Sequence, residues 1–138
     1  MPKAKTAVIV YGSHFVGKSY TLKQHFKPLV GLSGNQRIFQ IADTTTKKQL
    51  IGEIRSQSFE EADHNQQSLI DLLKKLAKRD LLVVATRPAS ESGSLYHDVE
   101  SLLISHGFSV SSVEILNKGG PSNPSYYQER AQDIYSKL

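Results

Sequence analysis

The sequence contains no cysteine, which excludes disulfides, thiolate metal sites and a cysteine nucleophile. It also lacks an apolar run long enough to span a bilayer, and no signal-peptide pattern begins it, so we expect a cytoplasmic protein without a membrane span. The five histidines show neither H-x-x-x-H nor H-E-x-x-H spacing, and no G-x-S-x-G motif is present. A zinc site or a serine hydrolase is therefore not indicated.

Strong charge of either sign is also absent, since the net charge is only +4. That balance permits binding to nucleic acid but does not indicate it. The 138 residues include 38% hydrophobic and 22% charged side chains, which is typical of a globular chain rather than a disordered one. We predict one domain that spans residues 1–138.

One short segment of the sequence matches a known ligand-binding motif. Residues 12–19 read Gly-Ser-His-Phe-Val-Gly-Lys-Ser, a complete match to the pattern G-x-x-x-x-G-K-[ST]. The motif follows an apolar, strand-like run over 6–11 and precedes a predicted helix over 18–26. A strand, a glycine-rich loop and a helix in this order hold the phosphates of a nucleotide. The sequence therefore predicts a site for a nucleoside triphosphate, with ATP preferred and GTP not excluded.

Each fixed position of the motif has a physical task. Gly12 and Gly17 allow a tight turn and a close approach of the backbone to phosphate oxygens. Lys18 supplies an ammonium for the β- and γ-phosphates, and the Ser19 hydroxyl is the expected Mg²⁺ ligand. The main-chain amides that open the helix add a positive potential. The residues predicted to contact the nucleotide are Gly12, Ser13, His14, Phe15, Val16, Gly17, Lys18, Ser19 and Tyr20.

Strand-like and helix-like segments alternate through the rest of the chain. The predicted strands cover residues 6–11, 37–42, 81–86 and 108–116. Further helices are predicted over 46–57, 59–78 and 95–105 and from 125 onward, the first two from apparent capping boxes. This order predicts an α/β protein with a three-layer, P-loop NTPase-like fold and a mostly parallel sheet of about four to five strands.

Two residues that follow predicted strands are further candidates for the site. Asp43 follows the second strand and Arg87 the third, so both are expected on the side of the sheet that carries the phosphate loop. Asp43 is predicted to hold Mg²⁺ through a water or to orient a nucleophile, and Arg87 to neutralise phosphoryl charge. Turn initiation explains Asp43 equally well, and a surface position before a proline is the alternative for Arg87.

The segment Glu60-Glu61-Ala62-Asp63-His64 resembles the acidic Walker B box of P-loop ATPases, in which an Asp anchors Mg²⁺ and the next residue, a Glu, activates water. That resemblance implies a catalytic Glu61. Acidic residues in the first turn of a helix explain the same composition, and this interpretation is favoured here because residues 54–59 make a poor strand. Glu61 is thus a weaker candidate than Asp43.

Three further resemblances concern the loops around the motif. Residues 82–88 are similar to the sensor strand of FtsK/HerA-type DNA-pumping ATPases, which implies that Thr86 and Arg87 sense the γ-phosphate. The placement of Asp43 and Arg87 resembles that of acceptor-binding residues in small nucleotide and metabolite kinases. Asn117-Lys118 resembles the start of the guanine-reading N-K-x-D motif, but position 120 is a glycine, so specificity for GTP is unsupported.

The leading functional prediction is a Mg²⁺-ATP hydrolase whose turnover is coupled to a protein partner or to assembly of the chain with itself. The alternative is a kinase that transfers the γ-phosphate to a small acceptor near Asp43 and Arg87. A third possibility is a nucleotide-dependent interaction module with little turnover. Tyr126 and Tyr127 either pack on the sheet or stack on a base, and packing is favoured.

Overall fold

The computed structural model of the protein describes residues 4–12, 17–43 and 45–138. The described residues contain five strands that form one sheet: β1 (Thr6–Tyr11), β2 (Ile38–Ala42), β3 (Gln49–Ile54), β4 (Leu81–Thr86) and β5 (Ser109–Glu114). Their order across the sheet is β2-β3-β4-β1-β5. β1 lies parallel to β4 and β5, β3 lies parallel to β4, and β2 is antiparallel to β3.

This topology gives the sheet two distinct ends. We call one of them the carboxyl end. It contains the residues that follow β1, β3, β4 and β5 and, because β2 is antiparallel, those that precede β2. The amino end collects the residues that precede β1, β3, β4 and β5 together with those that follow β2. Ligands of open α/β sheets usually bind beyond the carboxyl ends of parallel strands.

Among the described residues, four longer helical segments flank the sheet, and a short 3-10 helix covers Gly120–Ser122. The first, α1, runs over 18–29 and consists of a π-helical stretch, Thr21–Phe26, between short α-helical ends. The other three are α2 (Gln66–Leu76), α3 (Tyr96–Ser105) and α4 (Pro124–Ser136). None of the helices in the described ranges combines the length and apolar character needed to cross a bilayer.

Hydrophobic side chains are buried on both faces of the sheet. Val8 and Val10 of β1 belong to a cluster with Leu22 of α1 and Ile134 of α4. The alternate β1 residues, such as Ile9, belong to a second cluster with residues of α2 and α3. Because successive side chains of a strand point to opposite faces, β1 is buried on both sides. The prediction of an α/β protein with a mostly parallel sheet is confirmed, with helices packed on both faces.

The predicted helix over 46–57 is wrong, because residues 49–54 form strand β3. Leu50 and Ile54 are buried on one face with Phe39 of β2. They are four residues apart, which is twice the two-residue period of a strand, so both point to the same face. Between them, a Cβ at Gly52 would lie only 2.3 Å from the Phe39 ring, so the close pairing of β2 and β3 requires a glycine there. The Thr46 hydroxyl accepts a hydrogen bond from the Lys48 amide in the hairpin turn instead of capping a helix.

The predicted start of the next helix at residue 59 is also wrong. α2 begins at Gln66, after a capping box in which the Asn65 side chain accepts a hydrogen bond from the Ser68 amide. Residues 55–59 remain bonded to β4 instead, through Arg55 N to Val83 O at 2.8 Å and Phe59 N to Ala85 O at 3.1 Å. The chain therefore follows β4 to the carboxyl end of the sheet before it turns back into α2.

Candidate functional site

The described flanks of the phosphate-loop motif have the predicted arrangement. β1 ends at Tyr11, Gly12 follows it at the carboxyl end, and α1 begins at Lys18. The Gly17 carbonyl accepts hydrogen bonds from both the amide and the hydroxyl of Thr21, at 2.8 and 2.7 Å, which fixes the first helical turn. Of the residues predicted to contact the nucleotide, those outside the described ranges are Ser13, His14, Phe15 and Val16.

Lys18 is a buried cation, only 5% exposed. Its ammonium donates a hydrogen bond to the Gly12 carbonyl, so the side chain folds back across the base of the loop. Burial lowers the pKa of Lys18 below its usual value, because the charged form loses hydration. Ser19 and Tyr20, the next two predicted contacts, are exposed and half-buried respectively.

Other charged side chains act on Lys18 from two loops. Three carboxylates raise the pKa of Lys18, in the order of effect Glu61, Glu60 and Glu91, whereas the positive charge of Arg87 lowers it. Glu61 and Arg87, two of the candidates from the sequence, therefore lie within electrostatic range of the motif lysine. Such effects require proximity, so the four side chains surround the same region of the carboxyl end.

Glu60 and Glu61 lie in a turn over 59–63 rather than in a helix, so the interpretation of this segment as a helix start is wrong. The two neighbours differ in their contacts. Glu60 Oε2 accepts hydrogen bonds from the amides of Arg87 and Leu95, at 3.0 and 2.7 Å, and thereby fixes the loop after β4. Glu61 raises the pKa of Lys18 more than any other carboxylate does.

Several buried polar atoms around Lys18 have no hydrogen-bond partner among the described residues. They are Oε1 of Glu60, Nε of Arg87 and Oε2 of Glu91. Buried polar atoms are nearly always paired in folded proteins, because an unpaired one costs about 1–3 kcal/mol. Donors and acceptors that are left open in one region are typical of a place that binds a polar ligand or ordered water.

Glu91 was missed by the sequence analysis. It lies in the serine-rich loop after β4, where no motif distinguishes it from other surface carboxylates. The available signal was its position, since a loop that follows a buried parallel strand is carried to the carboxyl end of the sheet. The same loop contains Arg87, and the buried Thr86 donates its hydroxyl to the Arg87 carbonyl at 3.0 Å.

The prediction that Asp43 lies beside the phosphate loop is wrong. β2 runs antiparallel to its neighbour, so the residue that follows it is carried to the amino end of the sheet. There Asp43 Oδ1 accepts hydrogen bonds from the amides of Thr45 and Thr46, at 2.8 and 3.3 Å. Asp43 therefore initiates the β2–β3 turn, the alternative that the sequence had left open, and its placement rules out a Mg²⁺ ligand at the loop.

The ring of Tyr127 of α4 lies against Gly17 of the phosphate-loop motif. Gly17 has φ of +104°, and a Cβ built on it would lie 2.8 Å from Cε1 of the Tyr127 ring. The ring is fully buried, which confirms that Tyr127 packs rather than stacks on a base. Its hydroxyl accepts a hydrogen bond from the Lys118 amide at 2.9 Å and so connects the loop after β5 to the motif.

The described residues contain no cluster of three or more His, Asp or Glu side chains able to hold a metal by themselves. Mg²⁺ does not need one, because it commonly binds through one or two carboxylates together with substrate phosphates and water. The Ser19 hydroxyl and the Glu61 carboxylate supply the oxygen ligands that this ion prefers.

Comparison with known proteins returned no relative: no family model matches the chain, and no curated protein and no solved structure is significantly similar to it.

Proposed function

We propose that the protein binds Mg²⁺-ATP at the carboxyl end of the sheet and hydrolyses it. The observation that carries the proposal is the buried Lys18 of a complete phosphate-loop motif, with Glu61 and Arg87 beside it. A buried ammonium whose pKa is lowered by lost hydration becomes more stable when phosphate oxygens replace the missing water. Lys18 thus gains most from a ligand that carries several negative charges.

The roles of the residues follow from their chemistry. Gly12 and Gly17 admit the phosphates close to the backbone, and Lys18 neutralises charge on the transferred phosphoryl group. Ser19 would hold Mg²⁺, which would supply positive charge to the phosphate group being transferred. Arg87 neutralises charge on the γ-phosphate, the group that the resemblance to FtsK/HerA-type sensor strands implies it senses. Asp43 has no part in this proposal.

Glu61 takes the role that the sequence analysis had assigned first to Asp43. Its carboxylate orients a water molecule for attack on the γ-phosphorus and accepts a proton from it. The bond from the γ-phosphorus to the bridging oxygen breaks, and ADP leaves with the electron pair. This role agrees with the Walker B resemblance of the segment, and it is supported by the continuation of residues 55–59 along β4 to the carboxyl end.

Two substitutions test the proposal. Lys18→Ala should weaken Mg²⁺-ATP binding in calorimetry by about tenfold to a hundredfold, the size of one or two charge-assisted contacts. Glu61→Gln should retain binding and lose most phosphate release. Glu129→Gln, at an exposed position on α4, is the control and should change neither. Equal ATP binding by wild type and Lys18→Ala would refute the site, and full turnover by Glu61→Gln would refute its catalytic role.

Coupling to assembly or to a partner is part of the same proposal. The site is built from the residues that follow β1, β3 and β4, and Arg87 and Glu91 are only partly buried, so a neighbouring subunit or partner that packs on these loops would change their positions. Phosphate release per molecule should then rise with protein concentration. Tight ATP binding without release at any concentration would instead support the third possibility, an interaction module.

Transfer of the phosphoryl group to a small acceptor remains the second candidate. The observation that favours it is a basic cavity of about 400 Å³ next to the segment that carries Glu61. Release of ADP that requires one added metabolite, and that is absent with water alone, would favour a kinase over a hydrolase.

A further inference from the structure

A cavity of about 400 Å³ opens at the carboxyl end of the sheet, on the side of β2 and β3. The residues that line it belong to α1, to the stretch just before β2, to the segment after β3 and to α2. The volume lies within the range of small-molecule sites, roughly 300–1,000 Å³. Phe59 and Ala62 line it, and the two glutamates between them are those that face Lys18. Segment 59–62 therefore contributes both to the lining of the cavity and to the charged groups around Lys18.

The side chains that line the cavity carry an excess of positive charge. Lys23, Lys27, Arg37 and Arg55 are among the lining residues, and no aspartate or glutamate is. Arg55 is neutralised by Glu53 at 2.7 Å. Neither Lys23 nor Arg37 forms a salt bridge within the described part of the chain.

Lys27 makes this charge excess unusual, because it is a lysine only 4% exposed. Its ammonium donates to the Gly34 carbonyl at 2.9 Å, which fixes it in place without neutralising it. Burial lowers the pKa of Lys27, and the positive charges of Lys23 and Arg37 lower it further. A buried cation that is repelled by two others is unfavourable in the absence of an anion.

The arrangement of these cations favours a compact anion over a polymer. Lys23 and Lys27 are one helical turn apart on α1, and Arg37 enters from the start of β2, so the charges converge on a concavity rather than forming a stripe. Convergent donors from separate elements match a phosphate dianion, which has oxygens on several sides. Asn35, Ser56 and Gln57 add neutral hydrogen-bonding groups suited to the hydroxylated body of a small ester.

We propose that this cavity binds a small phosphate monoester, separately from the nucleotide at Lys18. Lys23 and Arg37 contact the phosphate from the rim, and Lys27 contacts it from the interior. Binding at the cavity does not depend on the proposed function, since none of its cations belongs to the phosphate-loop motif. A ligand held there lies next to the segment that carries Glu61, as an acceptor or a regulator of the first site would.

The test uses phenyl phosphate as the probe and amide chemical shifts in the full-length protein as the readout. At about pH 8 the probe is a dianion, because phosphate monoesters have a second pKa of about 6. Wild type and Lys18→Ala should show the same dissociation constant and shifts at residues 23–37 and 55–62. The double variant Lys23→Gln/Arg37→Gln should bind about a hundredfold more weakly, since each of the two charge-assisted contacts contributes a factor of about ten.

The matched control is Lys74→Gln/Lys78→Gln, which removes the same charge from exposed positions on and just after α2. It should bind the probe like wild type. Lys23 and Arg37 are themselves exposed, so their substitution leaves the fold intact, and dispersed amide spectra verify this. Equal weakening in both double variants, or loss of the cavity shifts in Lys18→Ala, would overturn the proposal. So would a single-stranded oligonucleotide that binds through Lys23 and Arg37 while phenyl phosphate does not.

Discussion

Charged side chains are used differently at the two ends of the sheet. At the amino end they bond to the main chain: Asp80 Oδ2 accepts from the Ile51 amide at 2.9 Å, and the Lys5 ammonium donates to the carbonyls of Ala77 and Arg79. At the carboxyl end, Lys18 faces Glu61, Glu60, Glu91 and Arg87, and buried atoms of the last three have no partner among the described residues.

The difference separates structural charges from those available to a ligand. Charged side chains bond to the main chain at both ends, since Lys18 donates to the Gly12 carbonyl and Glu60 accepts from two main-chain amides. The carboxyl end differs in the buried atoms of Glu60, Glu91 and Arg87 that have no hydrogen-bond partner among the described residues. A buried charge that faces other charges and retains open polar atoms is unfavourable unless something else fills the space. The unpaired buried atoms of Glu60, Glu91 and Arg87 therefore favour the carboxyl end over the amino end as the place for a ligand.

The largest effect on stability should come from Gly17→Ala, with Gly107→Ala at the amino end as its counterpart. Both glycines have positive φ, +104° and +90°, so alanine is strained at either by about 1–3 kcal/mol. Only at Gly17 does the added Cβ also meet a ring, that of Tyr127 at 2.8 Å, which adds about 1–3 kcal/mol of overpacking. Urea unfolding should show a clearly larger loss for Gly17→Ala; equal losses would contradict the close contact.

A smaller loss is expected from Glu60→Ala, which separates the two adjacent glutamates. The substitution leaves the amides of Arg87 and Leu95 without an acceptor, so the free energy of unfolding should fall by about 2–4 kcal/mol. Glu60→Gln retains an acceptor oxygen and should recover most of that loss. Glu129→Ala, exposed on α4, should change stability by no more than about 0.5 kcal/mol. If Glu60→Ala unfolds like Glu129→Ala, Glu60 does not fix the loop after β4.

At the amino end, Asp43→Ala should have a modest effect confined to stability. It removes the acceptor for the amides of Thr45 and Thr46 in the β2–β3 turn, which should cost about 1 kcal/mol in denaturant unfolding. Asp43→Asn keeps the accepting oxygen and should be near wild type. Mg²⁺-ATP affinity should be unchanged in both variants, and a loss of affinity would contradict the assignment of Asp43 to the opposite end of the sheet.

The parts of the fold that sequence predicted are those fixed by local pattern. β1 and β4 are continuous apolar runs because they lie in the middle of the sheet, and the phosphate-loop motif marks the boundary between β1 and α1. β3 lacks such a pattern: Glu53 is buried only because Arg55 and Arg79 pair with it, at 2.7 and 3.1 Å. Arg79 comes from a distant part of the chain, so no local rule identifies that strand.

The residues of the candidate site were likewise predictable only where a local motif specifies them. The motif identified Gly17 and Lys18, since spacing alone specifies them. The direction of β2 is set by its pairing with β3, not by its own residues, and for that reason Asp43 was placed at the wrong end. The role of Glu91 depends on how the loop after β4 folds against Glu60, which is a tertiary contact that composition does not reveal.

The smallest effect that we predict is a change of stability with pH in the unliganded protein, and it results from the burial of Lys18. Burial holds the pKa of the folded-state lysine below the usual lysine value of 10.5. At neutral pH the lysine is charged in both the folded and the unfolded state, so the folded state bears the net cost of burial that remains after the neighbouring carboxylates offset part of it. As pH rises through the lowered pKa toward 10.5, the folded-state lysine loses its proton first, and the penalty disappears. Lys18→Met never bears that penalty, so the stability of wild type relative to Lys18→Met should increase with pH across this window.

Thermal midpoints of the two proteins, measured without nucleotide from neutral pH upward, provide the comparison. A difference that stays constant with pH would mean that the lysine is well compensated before any ligand binds, and the carboxyl end would then resemble the amino end after all.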